Sequence, residues 1–161
     1  MNVVKKIEQF DINNVVLCET IKNNIINDGK FSRIIYSTHN LTFNGIYLLV
    51  KLNHITCNKY YSKYKCEFNV NDHSELINNI KIIEDSLLNK FNIAKKKGQF
   101  KINETLKTGN VKIHTSVENC RSCCFVLKIS GVWETEDTYG LTYKFCKIND
   151  DITTRLNDLH G

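Results

Sequence analysis

The segment 125–148, FVLKISGVWETEDTYGLTYKFCKI, constrains the fold of this chain more than any other. Its two halves, 126–133 and 139–148, are rich in β-branched and aromatic residues, which favour strands. The polar run Glu134-Thr135-Glu136-Asp137 between them is typical of a turn. The segment therefore predicts two strands joined by a short turn. Such a ribbon could be a sheet core, a surface on which bases stack, or both.

Length and composition favour one globular domain. The chain has 161 residues, of which 42% are apolar and 24% charged, which suits a folded protein and argues against disorder. Apolar runs are too short for a membrane span, and the opening MNVVKKIEQF lacks the apolar region of a secretory signal. We therefore expect a single intracellular domain over 1–161.

Cysteine usage points to thiols. The chain has seven cysteines, an odd number, and without a secretory signal this favours reduced, mostly buried side chains. Cys120 and Cys123 form one CxxC, whereas four-ligand zinc sites usually show two such pairs or a pair with closely spaced histidines. We therefore expect no metal and no other cofactor.

Other segments predict further strands and one main helix. Strand candidates are 31–37, 46–57, 60–70 and, after a polar stretch, 111–114. The segment 15–18 favours a strand followed by a loop or helical turn, although helical spacing of apolar residues there is an alternative. A helix is predicted to begin at Asp72-His73-Ser74 and to be closed by the basic run Lys95-Lys96-Lys97-Gly98. Its apolar stripe comprises Leu76, Ile77, Ile80, Ile83, Leu87, Leu88 and Phe91.

The order of these elements is three strands, a helix, then two or more strands. It is similar to that of a five-stranded oligonucleotide- and oligosaccharide-binding (OB) barrel, although other α+β sheets share it. We therefore predict a mainly β, α+β fold: an OB-like small barrel or curved antiparallel sheet with one main helix between the third and fourth strands. Its core would span about 31–148, and a short amphipathic helix would follow at about 151–160.

The chemistry that stands out is the interleaving of aromatic and cationic residues, densest in Lys59-Tyr60-Tyr61-Ser62-Lys63-Tyr64-Lys65. Single-stranded nucleic acid needs this combination, because cations track the phosphates while rings stack on bases at about 1–3 kcal/mol each. The formal charge of +5 permits such a ligand without requiring it. The candidate binding residues are Arg33, Tyr36, Lys51, Lys59, Tyr60, Tyr61, Lys63, Lys65, Lys95, Lys96, Lys97, Lys128, Trp133 and Lys144.

Each of these residues also has a structural interpretation. Tyr64 and Phe68 could be core, with the neighbouring lysines forming a solvated edge that discourages aggregation. A lone tryptophan on a strand is more often a core anchor than a stacking ring, and the neighbours Gly131 and Val132 favour the core for Trp133. The run Lys95-Lys96-Lys97 suits the end of a helix as well as it suits phosphate.

Catalysis has little support in the sequence. The chain lacks a Gly-rich phosphate loop, GxSxG and HExxH. Glu134, Glu136 and Asp137 could hold a divalent metal in a nuclease, but clustered acids in a turn are usually solvated. We therefore expect a protein that is not an enzyme.

Four segments resemble virus-encoded OB-fold single-stranded DNA-binding proteins of large DNA viruses and virus-like elements. They are Phe31-Ser-Arg-Ile-Ile-Tyr-Ser, Asn44-Gly-Ile-Tyr47, Lys128-Ile-Ser-Gly-Val-Trp-Glu134 and Tyr139-Gly-Leu-Thr-Tyr-Lys-Phe145. The resemblance implies a protein that coats unwound DNA during replication, in the host nucleus or cytoplasm. It would form homo-oligomers or contact replication proteins. One departure is the ending DDITTRLNDLHG, which is not the long acidic tail of several phage-type members.

Two other functions stay open at this point. The chain could be a protein-interaction or virion-structural module that uses edge strands or the stripe Ile152, Leu156 and Leu159. It could also be a metal-dependent nuclease.

Overall fold

The structure is a computed structural model, and it describes residues 4–23, 29–115 and 119–148. The described strands are β1 (Val15–Leu17), β2 (Ile21–Asn23), β3 (Gly29–Ser37), β4 (Thr42–Phe43), β5 (Ile46–Tyr60), β6 (Lys63–Glu67), β7 (Lys97–Gln99), β8 (Asn110–Ile113), β9 (Cys120–Glu134) and β10 (Thr138–Lys147). The α-helices are α1 (Ser74–Lys90) and α2 (Lys101–Lys107), and short 3-10 turns occur at Ile7–Gln9, Ile12–Asn14 and Asn71–His73.

Strand β9 is the centre of the sheet. One of its edges pairs with β10 in the predicted hairpin, and the other pairs first with β5 and then with β3. From β5 the sheet continues through β6 to β8, and β3 carries β1, β2 and β4. All of these pairings are antiparallel, whereas the short β7 runs parallel to β10. The prediction of a mainly β fold with an antiparallel sheet and one main helix is therefore confirmed.

The alternation of buried residues in β5 changes at His54. Ile46, Leu48, Val50 and Leu52 are buried on alternate positions, but the next buried residue is Ile55. His54 has a φ of 54°, in the left-handed region, while the register with β9 stays the same on both sides of it. From Thr56 onward β5 pairs with β6.

The core lies between the curved sheet and the two helices. The predicted stripe of α1 packs inward, with Ile80 and Leu87 essentially inaccessible to solvent. Helix α2 lies against α1 and contributes Ile102 and Leu106 to the same core. Both helices are thereby fixed on one side of the sheet.

The position of the main helix differs from the prediction. Six strands precede α1, where three were predicted, because β1, β2 and β4 are short segments that pair along β3. The helix also ends at Lys90, so the basic run 95–97 does not close it, and Lys97 begins β7. The polar stretch before 111 contains α2, which the sequence did not predict. The helix predicted at about 151–160 lies outside the described residues.

The start of α1 is fixed by a histidine rather than by a capping side chain. No side chain caps the helix at its N-cap residue, His73. The His73 ring is buried, and its Nδ1 lies 2.7 Å from the carbonyl oxygen of Asn69. The ring Nε2 accepts a hydrogen bond from the backbone N–H of Asn53 at 2.9 Å. Because Nε2 accepts, Nδ1 donates to Asn69, and the ring ties α1 to β5.

The described cysteine side chains are mostly thiols. Cys18, Cys57, Cys66, Cys124 and Cys146 are free, in agreement with the sequence. Cys123 is disulfide-bonded, and the prediction of thiols throughout is wrong there. Within the described ranges, no helix is both long and apolar enough to cross a membrane.

Candidate functional site

A cleft of about 450 Å³ runs between β6 and β8 on one side and β10 on the other. Strand β8 pairs with β6 and approaches β10, so the cleft follows the side on which the curved sheet is open. Among the residues that the structure describes, none that lines the cleft is acidic. They are Tyr60, Lys63, Lys65, Thr105, Thr108, Asn110, Lys112, His114, Tyr143, Lys144 and Phe145.

One wall is built around Tyr60, which ends β5 and is 43% exposed. Lys65 on β6 lies directly opposite Lys112 on β8. Their ammonium nitrogens lie 5.8 Å and 4.8 Å from the centroid of the Tyr60 ring. Lys65 also forms an ion pair with Glu67 at 3.3 Å. The wall therefore combines an accessible ring with two cations beside it.

The other side of the cleft is held by Tyr143. Its hydroxyl lies 2.6 Å from the Thr105 hydroxyl and donates to the Lys101 carbonyl oxygen at 3.2 Å. Burial raises the pKa of Tyr143 above its ordinary value of 10.0, although the hydrogen bond between Tyr143 and Thr105 lowers it. The phenol is therefore neutral at ordinary pH. Its role is to fix the end of α2 against β10.

The basic surface continues round β10 through Lys144. This residue also lines a second cleft, of about 300 Å³, together with Tyr47 and Lys128. Lys144 lies directly opposite Lys128 on β9, and the ammonium of Lys128 is 5.4 Å from the centroid of the Tyr47 ring. We call Lys63, Lys65, Lys112, Lys144 and Lys128 the lysine strip. It joins the two clefts.

Two pairs of the lysine strip place like charges directly across strands. Lys65 faces Lys112, and Lys144 faces Lys128. Such cross-strand pairs are destabilising, by a few tenths to about 1 kcal/mol each. The repulsion is relieved when an anion lies between the ammonium groups. The strip is therefore a surface of closely spaced positive charge, on which Lys65 is also paired with Glu67.

Four of the fourteen candidate residues meet in the first cleft: Tyr60, Lys63, Lys65 and Lys144. Lys59 and Tyr61 are exposed beside it, at the end of the β5–β6 hairpin. The sequence analysis missed Lys112, His114 and Tyr143 as site residues. The alternation of Val111-Lys112-Ile113-His114 could have found two of them, because it places Lys112 and His114 on one face of a strand.

Tyr36 does not belong to an exposed binding face. It is 2% exposed, and its hydroxyl accepts a hydrogen bond from the backbone N–H of Asp11 at 3.0 Å. Its neighbour Arg33 is exposed, because residues 33 and 36 lie on opposite faces of β3. The inclusion of Tyr36 among stacking residues is therefore corrected, since a buried ring cannot meet a base.

Three other candidates lie on the sheet away from the first cleft. Trp133 is half-buried, and a Cβ on Gly140 would lie only 2.6 Å from its indole ring. Trp133 on β9 also lies directly opposite Phe31 on β3, so its ring packs on the sheet. Lys51 is exposed opposite Cys124, and Lys128 lies in the second cleft. The structure does not bring Trp133 or Lys51 to the first cleft.

Lys96, the middle residue of the run Lys95-Lys96-Lys97, forms a salt bridge, whereas the two lysines beside it are exposed. Lys96 lies 2.5 Å from Glu134 and donates to the carbonyl oxygen of Thr135 at 2.7 Å. This ammonium is thus occupied within the protein. Lys95 and Lys97 are exposed, but neither lines the first cleft.

The acidic turn is not arranged as a metal site. Glu134 is engaged by Lys96, so it is not available to pair with Glu136 and Asp137. In the part of the chain that the structure describes, no three His, Cys, Asp or Glu side chains are grouped to hold a metal ion. The nuclease hypothesis therefore gains no support from the described geometry.

Comparisons with known proteins do not indicate a function for the chain, so the proposal below rests on this geometry. No protein family, curated protein or solved structure matches the chain.

Proposed function

We propose that this chain is a sequence-nonspecific single-stranded DNA-binding protein, whose ligand lies along the lysine strip and stacks on Tyr60 and Tyr61. The observation that carries the proposal is the cleft wall, where the exposed Tyr60 ring lies beside the opposed pair Lys65 and Lys112. Phosphates would separate the two ammonium groups while a base stacks on the ring. Neither contact reads a base edge, so the binding is independent of sequence.

The exposed rings favour a single strand over a duplex. Tyr60 is 43% exposed and Tyr61 is 85% exposed, and their rings meet edge to face at 4.8 Å. A base in a duplex is already stacked on both faces, whereas an unpaired base gains about 1–3 kcal/mol from an aromatic partner. The lysines attract both forms of DNA, and the tyrosines distinguish them.

The arrangement of strands supports an OB-like barrel as the finer description of the fold. Strands β5, β6, β8, β10 and β9 follow one another around the core, with hydrogen-bonded pairing everywhere except between β8 and β10. This is a ring of five strands that is open on one side, as in a partly open barrel. The helices lie between β6 and β8, which is a different place from the one predicted for the OB helix.

If β5 is taken as the first strand of this ring, the proposed site corresponds to the ligand-binding face of OB barrels, which supports the proposal. Those barrels use the faces of their second and third strands and the loop between the first and second. Here the corresponding parts are β6, β8 and the turn at Tyr61. They carry Lys63, Lys65 and Lys112. A role in viral replication rests on the sequence resemblance described above.

The test is fluorescence anisotropy of a labelled oligo-dT and of a duplex of equal length, titrated with the protein at low salt. We expect tighter binding of the single strand. Lys112→Ala should weaken binding of oligo-dT, whereas Lys81→Ala should leave it unchanged, because Lys81 is exposed on α1 and lines neither cleft.

Two results would contradict the proposal. The first is a flat titration of oligo-dT even at low salt, which would instead favour a protein-interaction or virion-structural role. The second is equal affinity of the Lys112→Ala and Lys81→Ala variants, which would place any bound DNA elsewhere on the molecule.

A further inference from the structure

Cys57 and Cys66 face each other across the hairpin of β5 and β6. The register places them directly opposite, and their sulfur atoms are 2.9 Å apart. Both are free thiols. The Cys57 thiol donates a hydrogen bond to the Cys66 sulfur at this separation, so the two sulfur atoms are in direct contact.

The backbone already has the geometry that a disulfide requires. Directly opposed residues of antiparallel strands have Cα atoms about 4.5–5.5 Å apart. A disulfide spans Cα separations of about 4.4–6.8 Å. The bond can therefore form while the ladder between β5 and β6 stays in register.

The two thiols differ in access to solvent, and Cys66 is also held in its neutral form. Cys66 is completely buried, and burial together with the neighbouring Cys57 sulfur raises its pKa to about 12, against a smaller opposing effect of Lys147. Cys57 is half-buried, and its backbone N–H is held by the side-chain oxygen of Asn119 at 2.8 Å. An oxidant from solution therefore reaches Cys57 first, because the thiolate is the attacking form and access decides which sulfur meets it.

We propose that Cys57 and Cys66 form an oxidation site, which a low-molecular-weight disulfide converts into a cross-strand disulfide. The Cys57 thiolate attacks one sulfur of the oxidant, and one small thiolate leaves. The Cys66 thiol loses its proton to solvent and attacks Cys57 in the mixed disulfide, which releases the second small thiol. Two protein thiols are oxidised to one disulfide, and one small disulfide is reduced to two thiols. The second step is slow, since Cys66 is rarely a thiolate.

The site is independent of the proposed DNA binding, although it lies in the hairpin that carries Tyr60 and Tyr61. The new bond would close a short loop around the hairpin end, from Cys57 to Cys66. Such a bond restricts the opening of the two strands. Amide hydrogen exchange in 58–65 should therefore slow in the oxidised form and recover on reduction.

The experiment treats the native full chain with glutathione disulfide, blocks remaining thiols, and maps tryptic peptides without reduction. Trypsin cuts after Lys59, Lys63 and Lys65, so Cys57 and Cys66 fall in separate peptides unless a disulfide joins them. We expect one new cross-linked pair, which joins the peptides that carry Cys57 and Cys66, is absent before oxidation and disappears after treatment with a reducing agent. The measurement needs no DNA, so its failure is distinct from a failure of the proposed function.

Three variants test which cysteine meets the oxidant first and which one completes the disulfide. Cys66→Ser should accumulate glutathione on Cys57, and Cys57→Ser should leave Cys66 unmodified because it is buried. Cys146→Ser, which removes a thiol on β10, should cross-link like the wild type. The proposal is overturned if the wild type keeps both thiols, or if it carries glutathione on Cys57 without the cross-link.

Discussion

Tyr61 holds a backbone conformation that suits few side chains. It follows Tyr60 in the two-residue turn between β5 and β6, with a φ of 53°. A residue with a Cβ in this left-handed region costs about 1–2 kcal/mol, and glycine and asparagine tolerate it best. The ring is 85% exposed and makes an edge contact with Tyr60. A strained, exposed aromatic residue contributes little to stability, which is consistent with a role in stacking.

Tyr61→Asn should therefore separate stability from binding. We expect the free energy of unfolding to rise by about 0.5–1 kcal/mol, since asparagine accepts the left-handed backbone. Affinity for oligo-dT should fall by about tenfold, which corresponds to the loss of one stacked base. Urea denaturation and anisotropy measure the two effects.

His54→Asn is the matched control for that variant. His54 is also exposed and has a φ of 54°, but it lies within β5 and not in the cleft. It should gain similar stability without a loss of affinity. A Tyr61→Asn variant that binds oligo-dT as well as His54→Asn does would remove Tyr61 from the interface.

At the scale of elements, α2 depends on a contact from α1. A seven-residue helix is too short to be stable alone. Its N-cap residue, Phe100, supplies no side-chain hydrogen bond. Instead the carboxylate of Glu84, buried in α1, accepts hydrogen bonds from the backbone N–H groups of Ile102 and Asn103, each at 2.9 Å. The helix therefore forms where the tertiary structure supplies its cap.

The same carboxylate should make stability depend on pH. Burial raises the pKa of Glu84 above its ordinary 4.5, although the two backbone N–H groups lower it in part. Between 4.5 and the raised value, the folded state binds more protons than the unfolded state. The contribution of Glu84 to the free energy of unfolding is thus fully present below the unfolded pKa and falls as pH rises through this window.

Glu84→Gln isolates this effect, because glutamine does not titrate. The difference in unfolding free energy, wild type minus variant, should decrease as pH rises from 4.5 through the window, as measured by urea denaturation at each pH. Because glutamine offers a single acceptor atom for the two N–H groups, we also expect a loss of about 1–3 kcal/mol at low pH. A difference that is constant with pH would show that Glu84 titrates normally in the folded chain.

At the scale of the molecule, strand pairing brings together lysines that are far apart in the sequence. The lysine strip draws on β6, β8, β9 and β10, and the formal charge of the chain is only +5. Each phosphate neutralised on a single strand contributes about −0.7 to the slope of log K against log salt. If all five lysines contact phosphate, the slope for oligo-dT should be about −3.5.

Lys144→Ala tests whether the strip acts as one surface. Lys144 lines both clefts, so its removal should make the slope about 0.7 less steep and weaken binding at every salt concentration. Anisotropy titrations across a salt series measure both quantities, with Lys81→Ala as the control. A wild-type slope near zero would mean that phosphates are not the groups bound.

The sequence by itself determined the elements whose patterns are local. Strand alternation predicted β3, β5 and the β9–β10 hairpin, and the apolar stripe predicted α1. Within the segment 59–65, which is dense in rings and cations, Tyr60 and Tyr61 are exposed. The strands and the helix follow from the periods of two and 3.6 residues, which neighbouring residues are sufficient to express.

Only the tertiary structure decided which of these residues act together. Tyr36 and Tyr60 both lie near cations in strand sequences, yet Tyr36 is buried and Tyr60 is exposed. Alternation separates the two faces of a strand but does not say which face meets the core. The pairing of Lys65 with Lys112 and the capping of α2 by Glu84 join distant segments. Such contacts depend on sheet register and helix packing, and these are set by burial of the whole core rather than by any local pattern.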